Sequence, residues 1–127
     1  MLYDHIDLRV GDLEKCRHFY DGVMSAMGCP VARGDEENMT WYPERDEKSR
    51  PFFGIVLDRE HQANGCRIAF RAESRDEVDR IAEAARASGA AAFEAPHLCE
   101  EYSPQYYAAF FEDPEGNKLE VCYRSLP

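Results

Sequence analysis

Two stretches, YDHIDLRV at residues 3–10 and NGCRIAFRA at residues 64–72, decide the fold, because the second restates the first. In the first, Ile6, Leu8 and Val10 alternate with Tyr3, His5, Asp7 and Arg9, which predicts a strand covered on one side only. In the second, Cys66, Ile68, Phe70 and Ala72 alternate with Arg67, Ala69 and Arg71. A strand that packs Ile68 and Phe70 on one face presents Arg67 on the other, and its guanidinium needs a polar setting there.

Each strand leads into a helix. After Gly11, Asp12 is placed to cap a helix whose buried face is Leu13, Cys16, Phe19, Tyr20, Val23, Met24 and Met27, with Gly28 as its stop. In the second copy Ser74 and Glu77 have capping-box spacing, Val78, Ile81, Ala82 and Ala85 form the apolar stripe, and Gly89 ends it. A displacement of 62 residues lays Ile68 on Ile6, Phe70 on Leu8, Val78 on Cys16 and Ile81 on Phe19. Three strand-like runs follow each helix, roughly 29–33, 38–42 and 51–58, then 91–95, 105–112 and 118–124. DPEGN at 113–117 suits a tight connection, and DREHQANG at 58–65 joins the halves. The predicted organisation is an α+β domain of two βαβββ modules, residues 1–60 and 61–127. Neither module is large enough to cover its own open sheet face, so two such sheets are expected to meet.

Composition narrows the function classes. With 127 residues, 44% hydrophobic, the chain can bury roughly two-thirds of its unfolded surface, and no run reaches the ~18 apolar residues of a membrane span. A net charge of −10 argues against nucleic acid and anionic membrane surfaces as partners. The five cysteines are scattered without a C-x-x-C pair, so free thiols are expected rather than a disulfide framework or a structural zinc site. The opening residues lack the pattern of a secretory signal, which makes a cytoplasmic protein the expectation.

The segments HIDLRVGDLEKCRHFYDGVMSAMG, RIAFRA with its following helix, and YYAAFFEDPEGNKLEV together resemble the vicinal oxygen chelate superfamily, which includes glyoxalase, bleomycin resistance proteins and extradiol dioxygenases. The resemblance spans essentially the whole chain. It implies a cupped, eight-stranded, mostly antiparallel half-barrel around a central cavity. It also implies a divalent metal (Zn, Ni, Mn or Fe) held by the first and last strands of each module, with open positions for two vicinal substrate oxygens. His5 matches the first-strand ligand of the first module, and Glu120 the last-strand ligand of the second. Arg67 stands where a histidine is usual, and a guanidinium is donor-only and cannot ligate a metal. In PFFGIVLD the phase offers Gly54 or Val56, neither a ligand, with Asp58 in reach only if the register slips. The metal site is therefore expected to be incomplete, and the cofactor is a divalent metal or none.

These residues define the candidate site. His5 is a metal ligand or an ordinary hydrogen-bonded histidine. Glu120 is a catalytic base, a metal ligand or a carboxylate paired with Arg67 in place of a metal. Arg67 also suits the carboxylate or phosphate of a ligand, bound through two parallel hydrogen bonds. Tyr3, Trp41, Tyr106 and His97 complete the substrate-binding candidates, with core packing the plainer reading of the aromatics. His97 is expected in the loop before the seventh strand, together with Cys99 and Tyr102. Two functions fit. One is a glyoxalase-like enzyme of lyase, isomerase or dioxygenase type. The other is a non-catalytic protein that binds a small molecule or antibiotic, in the manner of bleomycin resistance proteins. The partner is a small-molecule ligand in both cases, and the resemblance implies a homodimer.

Overall fold

The computed structural model describes residues 2–44 and 51–125. The chain divides into two compact units, Met1–Gln62 and Ala63–Pro127. Among the described residues there are two helices and eight strands, arranged as two open four-stranded sheets that do not close into a barrel, which is the α+β class expected.

The first unit runs β1 (His5–Val10), α1 (Leu13–Ala26), β2 (Val31–Gly34), β3 (Asn38–Tyr42) and β4 (Phe52–Leu57). Its sheet has the order β1-β4-β3-β2, with β1 parallel to β4 and the other pairs antiparallel. Asp12 begins α1 by accepting a hydrogen bond from the Lys15 backbone N–H at 3.1 Å. Gly28 follows its end at φ +86°, a conformation that costs glycine little. Leu13, Cys16, Phe19, Tyr20, Val23 and Met24 of α1 are buried with Met39, Trp41, Phe53 and Ile55 of the sheet. Each large side chain contributes roughly 1.5–3 kcal/mol by leaving water.

The second unit repeats the order: β5 (Arg67–Arg71), α2 (Arg75–Ala87), β6 (Ala91–Leu98), β7 (Tyr107–Glu112) and β8 (Lys118–Tyr123). Its sheet is β5-β8-β7-β6, again with only the first pair parallel. The Ser74 hydroxyl accepts from the Glu77 N–H at 3.1 Å and starts α2. Val78, Ile81, Ala82 and Ala85 are buried together with Phe70, Ala109, Phe111, Leu119 and Val121. The turn at 113–117 closes around the buried Asp113, whose carboxylate accepts from the N–H groups of Glu115 and Asn117 and from the Asn117 amide at 2.8–3.0 Å. Every one of those bonds satisfies a group that would otherwise be costly to bury.

The strand preceding this hairpin departs from the sequence reading. β6 extends to Leu98, three residues beyond the expected run, and carries His97 within it rather than in a loop. Two register irregularities, between Ala91 and Glu94 and between Glu94 and His97, break the alternation, and Ala92 sits at φ +47°. Bulges of this kind shift side-chain phase, which hides a strand from a period-two reading.

Candidate functional site

Helix α2 covers one face of the second sheet, and pairing register identifies what occupies the other. Arg67, Ala69 and Arg71 of β5 lie opposite Lys118, Glu120 and Cys122 of β8. Glu120 lies opposite Phe110 of β7, and Cys122 opposite Ala108. Glu94 and His97 of β6 lie opposite Phe110 and Ala108. Partners in register point to the same side of a sheet, so Arg67, Glu120, Phe110, His97 and Cys122 share the open face. Four residues expected to line a site, Arg67, Glu120, His97 and Tyr106, are thus gathered on one surface of one unit.

Glu120 is buried, and its Oε2 accepts a hydrogen bond from the Tyr106 hydroxyl. Burial, reinforced by Cys122 and by Glu120 itself, holds the Tyr106 phenol well above the ordinary tyrosine range, so it remains a proton donor at neutral pH. Burial likewise pushes the Cys122 thiol up, outweighing the pull of the Tyr106 hydroxyl. Cys99, fully buried at the end of β6, is raised for the same reason, with Glu101, Glu120 and Glu94 adding to the effect. Neither thiol is a thiolate near pH 7, which removes both as activated nucleophiles.

The ion pair expected between Arg67 and Glu120 is not formed. The Arg67 guanidinium lies over the Phe110 ring, 5.1 Å from its centroid, and among the described residues it has no carboxylate within ion-pair distance. The register explains this. Arg67 stands opposite Lys118, and Glu120 is two residues farther along, beside Ala69, where Tyr106 reaches it. A cation over an exposed aromatic face contributes about 0.5–1 kcal/mol and leaves the guanidinium edge open to other acceptors.

His97 and Tyr102 complete the rim. The His97 Nδ1 donates to the Ala95 carbonyl at 2.9 Å, and its Nε2 faces Glu94 Oε2 and Cys99 Sγ, both at 3.5 Å. Its ring centroid lies 6.2 Å from that of Phe110, while Tyr102, exposed, lies 6.4 Å from Phe110 and 5.3 Å from Tyr106. Phe110, which is not among the site residues expected from the sequence, is the centre of this cluster. Its phase with Glu120 was the available signal.

The corresponding face of the first unit holds His5, Asp7 and Arg9 of β1 with Phe52, Gly54 and Val56 of β4. His5 stacks on Phe52 at 4.6 Å between centroids. Its Nδ1 donates to Asp4 Oδ1 at 2.7 Å, and its Nε2 lies 3.7 Å from Asp7 Oδ2. The hydrogen bond to Asp4, aided by the charges of Asp7 and Asp4, raises its pKa above the ordinary histidine value. Tyr3 precedes β1 and is exposed. Trp41 must be removed from the ligand-contacting set. It is wholly buried on the helix side of the sheet, where its Nε1 donates to Asp21 Oδ1 at 2.8 Å.

Matching the two registers tests the implied metal against the residues present. His5 and Arg67 each begin a parallel strand pair, and Asp7–Gly54 in the first unit corresponds to Ala69–Glu120 in the second. The register therefore selects Gly54, not Val56, as the counterpart of Glu120. Of the four positions at which the resemblance implies ligands, Gly54 has no side chain and Arg67 no lone pair. Among the described residues no three His, Cys, Asp or Glu side chains form a metal-binding group. This donor set does not fit the four-ligand metal site.

Residues 2–121 match the family described as the Glyoxalase/Bleomycin resistance protein/Dioxygenase superfamily. The uncharacterised protein YqjT of Bacillus subtilis (strain 168) is 29% identical over 126 residues, covering 92% of this chain and 94% of that protein. A glyoxalase/bleomycin resistance protein from Albidiferax ferrireducens T118 superposes with a TM-score of 0.80 at 25% identity, over 98% of this chain and all of the other. The fosfomycin resistance protein FosX from Mesorhizobium loti shares the fold, with a TM-score of 0.68 at 18% identity over 99% of this chain and 93% of its own. No described helix is long and apolar enough to cross a membrane.

Proposed function

Because this chain belongs to the Glyoxalase/Bleomycin resistance protein/Dioxygenase superfamily, we propose that it binds a small molecule on the open face of its second sheet, and that binding needs no metal. The single observation that carries this reading is the register that puts Arg67 and Gly54 at two of the four expected ligand positions. Phe110 and Tyr102 supply apolar contact, Arg67 a fixed cation, and the Tyr106–Glu120 pair a buried polar floor. Such a mixture, mostly aromatic with a few convergent polar groups, is the usual make-up of a small-molecule site.

A second reading, a lyase- or isomerase-type enzyme, draws support from Glu120. A buried carboxylate beside a neutral phenol can serve as a general base: Glu120 takes the substrate proton, and Tyr106 passes its own proton to a substrate oxygen as it recovers one from the protonated Glu120. A homodimer, as the family resemblance implies, and a cytoplasmic location belong to this proposal as expectations, and sedimentation equilibrium reads the first.

Elemental analysis of the purified protein, together with amide NMR titration of a small-molecule panel in EDTA, tests the metal-free reading. Ligand-dependent shifts at Phe110, Tyr102 and Tyr106 should persist in EDTA, whereas loss of binding with removal of a stoichiometric metal would overturn it. Arg67→His returns a donor to one of the two vacant positions, so affinity for Ni²⁺ or Zn²⁺ should rise. No change would tell against the equivalence of His5 and Arg67.

A further inference from the structure

The open face of the second sheet has an imbalance that its counterpart lacks. In the first unit the basic side chain on the leading strand, His5, has carboxylate oxygens at 2.7 and 3.7 Å, from Asp4 and Asp7. In the second unit Arg67 has none among the described residues, although the chain carries a net charge of −10. The carboxylates on its own sheet face are engaged elsewhere: Glu120 by the Tyr106 hydroxyl, Glu94 by His97 at 3.5 Å, and Glu112 by Lys118 at 3.3 Å. Arg71, on the same face of β5, has no carboxylate partner among the described residues either.

We propose that this face takes a ligand that joins a carboxylate to a flat apolar body, the carboxylate on the Arg67 guanidinium and the body against Phe110 and Tyr102. The inference rests on the ligand seat proposed above and assigns its chemical class. The guanidinium carbon is held over the Phe110 ring, 5.1 Å from its centroid, and a guanidinium is a planar fork of N–H donors that meets a carboxylate through two parallel hydrogen bonds. Arg67 is exposed, as is Tyr102, so a ligand reaches both from solvent. Glu120 opposes a second anion at the floor of the site, and the ligand therefore carries its negative charge at the end nearest β5.

Benzoate, benzylamine and inorganic phosphate are the probes, titrated into the full chain and followed by amide NMR shifts at Arg67, Tyr102, Tyr106 and Phe110. Benzoate should shift these residues and bind at least about tenfold more tightly than benzylamine. Arg67→Met should weaken benzoate by at least about tenfold, the magnitude of one charged hydrogen-bonding group, while Arg67→Lys should fall between. Benzylamine binding as well as benzoate, with the same shifts, would overturn the anionic class and leave the seat standing. Inorganic phosphate binding as tightly as benzoate would overturn the flat body, and so would shifts confined to Arg67. If no probe perturbs any of the four residues at millimolar concentration, both the seat and the class fail. Unchanged benzoate affinity in Arg67→Met, with Arg67→Lys also unchanged, would remove Arg67 from the site.

Discussion

The two sheets pair their strands identically, yet they place one carboxylate on opposite strands of the parallel pair. In the first unit it is Asp7 on β1, beside Gly54. In the second it is Glu120 on β8, beside Ala69. A Cβ at Gly54 would stand 2.9 Å from Asp7 Oδ1, so the missing side chain makes room for the acid across from it. The exchange has a consequence for charge. Asp7 reaches back toward His5, the basic group on its own strand, while Glu120 turns to Tyr106 and leaves Arg67 with only an aromatic ring. Copies of one architecture thus present one face whose leading histidine has carboxylates beside it and one whose leading arginine, among the described residues, has none, and the latter suits an anionic ligand.

The largest effect should come from erasing this difference. Gly54→Glu copies the second unit's carboxylate onto the first, where its Cβ meets Asp7 Oδ1 at 2.9 Å and the Met39 carbonyl at 3.2 Å. Overpacking and a second, unpaired acid in a buried position should cost about 3 kcal/mol, read as a lower urea midpoint. A stable Gly54→Glu variant would show that the two faces are interchangeable after all.

Tyr106→Phe probes the second face alone. Glu120 loses the hydroxyl that satisfies it while remaining buried, and stability should fall by about 1–2 kcal/mol near pH 7. Adding Glu120→Gln should recover part of that loss, because a neutral amide is less costly to leave unpaired than a carboxylate. Equal losses in the single and double variants would mean that Tyr106 acts by packing alone.

The smallest effect belongs to His5. Its pKa is raised in the folded chain by the Asp4 hydrogen bond and by Asp7, so the folded state holds this proton more tightly than the unfolded one. The stabilisation is fully present below the ordinary value of 6.5 and disappears as pH rises through the folded pKa. Subtracting the thermal midpoints of His5→Gln from those of the parent across pH 5.5–8.5 should give a small difference that declines toward alkaline pH. A difference that grows with pH would reverse the assignment, and the Cε1 proton shift of His5 gives its pKa directly.

Much of the fold was legible because it rests on local rules repeated twice. Asp12 and Ser74 cap their helices as their residue types predict, and Ile6, Leu8, Ile68 and Phe70 keep period two on the faces that meet those helices. The limits of β6 were not legible, because two bulges and a left-handed Ala92 disturb the period from which a strand is read. Trp41 was misassigned for a different reason. An indole with a polar N–H suits a ligand site or a core equally well in sequence, and only the position of Asp21 on α1 decides between them.

By itself, the sequence determined that the chain is duplicated, that each copy is strand, helix and three strands, and that Arg67 cannot ligate a metal. These follow from side-chain period, capping chemistry and the lack of a lone pair on guanidinium, all properties of a residue and its near neighbours. Tertiary structure alone decided that Gly54 answers Glu120, that Tyr106 rather than Arg67 satisfies that carboxylate, and that Arg67 rests on Phe110. Those outcomes depend on strand register and on side chains meeting across distant segments. Several partners were chemically acceptable for each group, and only the folded geometry placed one of them within reach.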